Sequence, residues 1–501
     1  MSQTVVGLDL GTQGVKLLAY DFMQKKLLAS ASAPLELISR PDGTREQLAE
    51  WWIDAVRHCF SAIPQSVKDG VVAIGVSGQQ HGFVPLDKNG KVLAPVKLWC
   101  DTATEKACRD IIEAAGGDDA CFALTGLHPK TGYTLSKIRW LRDHQPEVYA
   151  QLSTILLPHD YLNYFFTGNY CMECGDASGT GLLDVRQRRW SHALINIVDA
   201  DRDLATCLPP LIEPFQQAGK IRPALAAELG LPESVVLSAG GGDNMMAAIG
   251  TGNVVPGELT ASLGTSGTLF AFSNEPLNDE QGDLAAFCSS TGGWLPLLCT
   301  MNCTIATEQI RKLLKLQQAS MDALAAKVAP GADGVVTLPF YNGERTPNLP
   351  NAKAVVFGLD HNNTSESHLL RSAMESAIFG LKNGVAAFSR CGLGFREVTL
   401  TGGGSNSAVW RQMCADILEL PVRVLKQNEN AAFGAALQAL WCYSHEQQQA
   451  LPLQAIVEQH LAYDESGFCE PDRDAIQVYQ GTYQRYADLI EAVKPLYMTM
   501  R

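Results

Sequence analysis

The chain has 501 residues, more than one hydrophobic core accommodates, since single cores stop growing at roughly 250 to 300 residues. A composition of 46% hydrophobic and 18% charged residues is that of a folded enzyme and leaves little room for long disordered tails. The net charge of −14 excludes the broad cationic footprint needed for nucleic acid or an anionic membrane, so any phosphate must be gripped locally.

The first residues run straight into a strand pattern with no basic n-region or apolar h-region, and no run of roughly 18 apolar residues occurs. A cytoplasmic protein is expected, with neither nucleic acid nor membrane as partner. The 14 Cys lie in apolar contexts such as Cys59, Cys299 and Cys414, as small buried hydrophobes do in a reducing compartment. The single Cys-x-x-Cys, Cys171 to Cys174, lacks a second ligand pair at zinc-finger spacing.

Three β-rich runs open the chain, Val5 to Leu10, Val15 to Tyr20 and Leu27 to Ala31. Between the first two lies Leu10-Gly11-Thr12-Gln13-Gly14, a strand-to-strand tip in which glycines keep Cβ atoms away, so that N–H groups and the Thr hydroxyl can approach phosphate oxygens. Asp9 and Lys16 flank it and offer a magnesium-directed carboxylate and a cation; a turn-capping Asp and a solvated Lys are the plainer alternatives. Thr44 and Gln47 form a capping-box pattern ahead of Leu48, Trp51, Trp52, Ala55, Val56 and Cys59, which recur at helical spacing. The buried strand Val71 to Ser77 then runs into Gly78-Gln79-Gln80-His81-Gly82, where amide and imidazole groups suit a neutral polyol. Three strands, a helix and a further strand is the order of an actin-like ATPase core.

A second strand, Val235 to Ala239, ends in Gly240-Gly241-Gly242-Asp243-Asn244. Asp243 leaves the sheet where glycines clear space, positioned to accept a hydroxyl proton, to cap the following helix, or to do both at once. The boundary between halves is drawn at Gly250 to Gly257, which divides the chain into residues 1–250 and 251–501. Just beyond it, Leu263-Gly264-Thr265-Ser266-Gly267 repeats the first turn with one side chain changed. A long helix is expected from near Ser365 to Gly392 or Gly394, with Leu369, Leu370, Ala373, Met374, Ala377, Ile378 and Leu381 on one face. Strand Val398 to Thr401 leads into Gly402-Gly403-Gly404-Ser405-Asn406, and a small-residue helix, Ala431 to Ala436, follows. A strand running into glycines and then a helix is the usual geometry for nucleotide approach. No Walker A sequence and no protein-kinase motif set occurs.

These motifs, with Gly132 to Leu141, Asn342-Gly343-Glu344-Arg345-Thr346-Pro347 and Val356-Phe357-Gly358-Leu359, resemble the FGGY carbohydrate kinases of the actin-like ATPase superfamily over nearly the whole chain. The resemblance implies an α/β architecture of two actin-like, ribonuclease H-like ATPase domains with an interdomain catalytic cleft. It implies ATP and Mg²⁺ as cofactors and a sugar as partner, with self-association into a homodimer left open. The implied reaction is ATP-dependent phosphorylation of D-xylulose to D-xylulose 5-phosphate. Another ketopentose or polyol, such as ribulose or L-xylulose, is the alternative, and a non-metabolic actin-like ATPase the reading from a different class.

By the same resemblance Asp243 is the general base, Asp9 holds the metal, and Gln80, His81, Asp101 and Asn244 hold the sugar. Gly11, Thr12 and Gln13 on one side and Gly264, Thr265 and Ser266 on the other form the phosphate loops, and Gly403, Gly404 and Asn406 bind adenosine. Cys100 and Ala103 depart from the family pattern of an Asn before Asp101 and an Arg two residues after it. That departure leaves sugar preference less fixed than reaction class.

Overall fold

The computed structural model describes residues 3–427 and 429–499. Two mixed sheets form the scaffold. The first runs, in spatial order, Gln217–Lys220, Val236–Ser238, Val71–Gly78, Thr4–Leu10, Gly14–Asp21 and Lys26–Pro34. The second runs Ala285–Cys288, Trp294–Thr300, Gly267–Phe270, Glu258–Leu263, Glu397–Thr401 and Val422–Val424. Without their first-named edge strands the two have one succession: an antiparallel meander, then strands parallel to the one that opens it. The duplication read from two glycine turns therefore extends to strand order, which periodicity alone does not disclose.

Each repeated turn is a tip between antiparallel strands. Leu10 pairs with Val15 and Leu263 with Gly267, and Gly11 N donates to Gly14 O at 3.0 Å to close the first tip. Val5, Val6, Leu8 and Leu10 are all buried, a near-continuous apolar run as expected of a strand covered on both faces. Helix Ala49–Ala62 packs on the outer strands of the first sheet.

The helix Asn430–Glu446 comes from the second half of the sequence but lies on the central strands of the first sheet and on helix Asp243–Gly250. The contacts are backbone against backbone. A Cβ at Gly7 would stand 1.7 Å from Ala432 O, one at Gly75 2.0 Å from Ala435 O, and one at Gly434 1.8 Å from Met246 O. The small residues Ala431 to Ala436 thus serve close packing across the halves. Gln438 on this helix accepts from Ser238 Oγ and Gly240 N through Oε1 and donates to Gly240 O through Nε2, fixing the glycine run before Asp243.

One sequence expectation about the elements changes. Helix Ala49–Ala62 forms where expected, but its N-cap is Leu48 with no side-chain cap, and Thr44 and Gln47 make no capping box. Gln47 is buried in short strand Arg45–Gln47 and is drawn inward, because the carbonyls of Thr12 and Glu36 and the indole N–H of Trp52 all need a polar partner. The long helix Glu366–Arg390 is capped by Ser365 Oγ accepting from His368 N, and it stops before Gly392 at φ 84°. Among the described residues no helix is long and apolar enough to cross a membrane. Every Cys, including Cys171 and Cys174, is a free thiol, and no His, Cys, Asp or Glu cluster among the described residues is arranged to hold a metal by itself.

Candidate active site

A cavity of about 280 Å³ opens between the two sheets. Gln80, His81, Trp99, Tyr133, Asp243 and Asn244 line it from the first half, and Ser266, Thr268, Phe287 and Arg345 from the second. Strand Val71–Gly78 delivers Gln80 and His81, and Gly241–Gly242, hydrogen-bonded beside Ser77–Gly78, delivers Asp243 and Asn244 to the same edge.

His81 adopts φ 65°, left-handed backbone that a non-glycine residue holds only when its surroundings fix it. Its carbonyl accepts from Lys137 Nζ at 2.5 Å and from Thr134 Oγ1 at 3.1 Å, and its ring stacks on Tyr133 with centroids 4.7 Å apart. Burial, with the nearby cation of Lys137, pushes its pKa down to about 3, so the imidazole is neutral. Nδ1 lies 2.6 Å from Gly179 O, a pure acceptor, so Nδ1 carries the proton and donates. Nε2 is left as an acceptor on a ring that lines the cavity. Lys137 is wholly buried, which brings its pKa down to about 7.

Asp243 begins helix Asp243–Gly250, but Gly242 is the N-cap, so the capping alternative does not hold. Its Oδ1 accepts from Asn244 N at 2.8 Å and Asn244 Nδ2 at 3.0 Å, and Oδ2 has no hydrogen bond from the described residues. Asn244 Nδ2 also donates to Gln80 Oε1 at 2.9 Å, leaving Gln80 Nε2 as a buried donor without a hydrogen bond among the described residues. Burial and then the carboxylates of Asp9 and Asp176 push the Asp243 pKa up to about 7. Behind this wall His159 lies between Asp176, 2.7 Å from Nδ1, and Asp160, 2.9 Å from Nε2. Burial disfavours an imidazolium there, but the two carboxylates outweigh it and hold the His159 pKa well above its usual value.

Asp9 sits at the mouth of the first turn, its Oδ1 accepting from Ser77 Oγ at 2.8 Å, and burial raises its pKa. Lys16 turns away to an exposed ion pair with Glu429 at 2.6 Å, so the cation expected near phosphate is engaged elsewhere. The second turn lies between two cavities. Ser266 faces the sugar-sized one, while Gly264 O accepts from the N–H of Thr304, which lines a second cavity of about 580 Å³ with Gly403, Gly404, Asn406, Ser407 and Trp410. A Cβ at Gly403 would meet nothing within 4 Å, so that glycine keeps space open; a Cβ at Gly404 would strike Leu263 Cβ at 2.7 Å. Thr265 and Gln13 are exposed at the two tips.

Of the residues expected around the sugar, the structure brings Gln80, His81, Asn244 and Asp243 together and leaves Asp101 out. Asp101 is fully buried off the cavity wall, its Oδ2 taken by Arg45 N at 2.8 Å and Lys97 Nζ at 3.2 Å and its Oδ1 by Ala103 N at 3.1 Å. A carboxylate with three donors already on it holds its own loop. Sequence reasoning assigned no role to Trp99, Tyr133 or Arg345; Tyr133 and Arg345 lie in motifs already noted, within two residues of a glycine, whereas Trp99 immediately precedes Cys100 and Asp101. His159 and Asp176 carried no local signal at all, since their meeting depends on folding.

Residues 4–250 match the N-terminal domain of the FGGY family of carbohydrate kinases, and residues 259–443 match its C-terminal domain. Xylulose kinase of Haemophilus influenzae is 42% identical over 96% of this chain and 98% of its own length. A solved xyloylose kinase from Brucella ovis superposes with a TM-score of 0.90 at 32% identity, covering 98% of this chain and 100% of that one. A gluconate kinase from Lactobacillus acidophilus reaches the same TM-score at 22% identity, over 98% of each chain, which makes it a likeness of fold alone. With both domains matched in order along the chain and a 42% identical relative over almost its whole length, this chain belongs to the FGGY family of carbohydrate kinases.

Proposed function

We propose that this chain transfers the γ-phosphoryl group of ATP to O5 of D-xylulose, giving D-xylulose 5-phosphate and ADP, with Asp243 as the general base. The observation that carries the reading is the Asp243 carboxylate, its Oδ2 unengaged, in one cavity with the neutral acceptor of His81. The full-length relatives called xylulose kinases support the choice of sugar.

In this reading the ketopentose lies between the lobes, taken as residues 1–250 and 251–501. His81 Nε2 accepts from one hydroxyl, while Asn244, itself held by Gln80 Oε1, keeps Asp243 turned to O5. As O5 attacks the γ-phosphorus, Asp243 Oδ2 takes its proton, and the bond to the ADP oxygen breaks. A base with a pKa near 7 is poised for this task at neutral pH. Backbone N–H groups of Thr12 and Gln13, on the tip that Gly11 closes, and of Gly264 to Ser266 hold the phosphates from the two sheets, and Gly403, Gly404 and Asn406 accommodate adenosine in the larger cavity. Burial of the lobes' shared cavity keeps water from replacing the sugar hydroxyl.

The donor set fits Mg²⁺. Asp9 and Asp243 are neighbouring carboxylates whose pKa values are each raised by burial, and Mg²⁺ is usually held by one or two carboxylates, phosphate oxygens and water rather than by a full protein cage. Asp9 would hold it, and the ion would neutralise charge on the phosphates.

Because Asp101 lies off the cavity wall and Ala103 brings no donor, a different ketopentose or polyol is the second reading. ADP release measured with D-xylulose, ribulose, L-xylulose and glycerol tests both. D-Xylulose is expected to give the highest kcat/KM, and activity confined to another sugar would replace it as the substrate.

A further inference from the structure

The sugar-side cavity and the first phosphate turn are joined by a hydrogen-bonded chain whose polarity is fixed from end to end. Trp52 Nε1 is only a donor, and it donates to Gln47 Oε1 at 3.0 Å. Gln47 Nε2 donates to the carbonyl oxygens of Thr12 and Glu36, each at 2.8 Å, so this amide has a single orientation. Gln79 Nε2 donates to the same Gln47 Oε1 at 2.9 Å, which turns Gln79 Oε1 toward Thr12. The Thr12 hydroxyl therefore donates to Gln79 Oε1 at 2.9 Å and accepts from Trp99 Nε1 at 3.0 Å. Trp52, Gln47 and Gln79 are buried. Trp99 is 40% exposed and lines the cavity, so it is the member of the chain that a bound sugar touches.

A hydroxyl has one proton, and a phosphate oxygen only accepts. With its proton committed to Gln79, Thr12 Oγ1 would meet a phosphate oxygen lone pair to lone pair. Full grip by this turn requires Thr12 to redirect that proton.

We propose that Trp99 is a positioning residue that couples occupancy of the sugar cavity to the first phosphate turn. With the cavity empty, its indole N–H holds Thr12 in the arrangement that donates to Gln79; a sugar packed against the indole shifts this contact and frees the hydroxyl to donate to ATP phosphate. The γ-phosphoryl group is then fully held only when its acceptor is present, which suppresses transfer to water. This inference rests on the kinase reading above.

The test is the variant Trp99→Phe, which keeps an aromatic wall and removes the N–H. ADP formation is followed at saturating ATP with and without D-xylulose. The sugar-free rate is expected to rise about tenfold, the worth of one good hydrogen bond, and the ratio of sugar-dependent to sugar-free turnover to fall accordingly. A sugar-free rate that is unchanged or lower in a folded variant overturns the inference. Wild-type enzyme with no sugar-dependent ADP formation would instead overturn the kinase reading, so the two failures are distinct.

A measurement on the unmodified side chain covers the case in which Trp99→Phe does not fold. In ¹⁵N-indole-labelled enzyme without nucleotide, the indole resonance displaced most by Thr12→Val must also be the one displaced by adding D-xylulose to the wild type. Displacement of different indoles in the two experiments overturns the coupling.

Discussion

At the scale of single residues, the site works through two groups pushed in opposite directions by burial. Asp243 is held up to about 7 and His81 down to about 3, so near neutral pH one is a proton acceptor in balance with its acid and the other a fixed neutral acceptor. The pH profile of kcat/KM is expected to rise through an acidic limb with a midpoint near 7 as Asp243 loses its proton, with no limb assignable to His81. Asp243→Ala should lower kcat by about 10² to 10⁴, the usual worth of a general base, with the circular dichroism spectrum unchanged. The same carboxyl has a stability cost. Between its ordinary value of 3.8 and about 7 the folded state keeps a proton that the unfolded chain has lost, so stability falls as pH rises through that window. Asp243→Asn should therefore raise thermal stability at pH 8, by about 2 to 4 kcal/mol of unfolding free energy, and leave it near that of the wild type at pH 4. Calorimetry at the two pH values checks the sign. His81→Leu removes one hydrogen bond to the sugar and should raise its KM about tenfold with little change in KM for ATP, read in the same coupled assay.

At the scale of elements, glycines that look alike in the sequence do different work. Gly434 lies where the helix Asn430–Glu446 crosses Asp243–Gly250, and a Cβ there would meet Met246 O at 1.8 Å, whereas a Cβ at Gly403 would enter open space. Gly434→Ala is expected to destabilise by about 3 kcal/mol or more, since backbone carbonyls cannot step aside as side chains do. Gly403→Ala should fold normally and raise KM for ATP several-fold by filling the nucleotide cavity. Thermal melts of the two variants beside their ATP kinetics separate the roles. The glycine turns, the strand that delivers Gln80 and His81, and the helix beginning near Ser365 were legible because their signals are local: a turn, an apolar run, a 3.6-residue period. The cap of Ala49–Ala62 was misread because Gln47 has a stronger claim on it from Thr12, Glu36 and Trp52, which are distant or oppositely placed in the chain. Asp101 lies off the cavity wall because its carboxylate is taken by Arg45 from far along the chain and by the nearby Lys97 and Ala103.

At the scale of the whole molecule, the two halves are not separate packages. The helix Asn430–Glu446 covers the central strands of the first sheet, and Ser290 of the second half donates to buried Glu173 of the first at 2.9 Å. Residues 1–250 expressed alone should accordingly aggregate or show a molten, non-cooperative melt, because Gly7 and Gly75 would expose a groove cut for a helix supplied from residue 430 onward. Co-expression with residues 251–501 is the comparison that isolates this effect. The sequence by itself determined the duplicated glycine turns and the reaction class, because each is carried by short motifs whose chemistry depends on neighbours within a few residues. Tertiary structure decided which side chains line the cavity, what sets their protonation, and which helix completes which sheet. Those outcomes depend on burial and on hydrogen-bond partners brought together from distant parts of the chain, as His159 meets Asp176 and Trp99 meets Thr12.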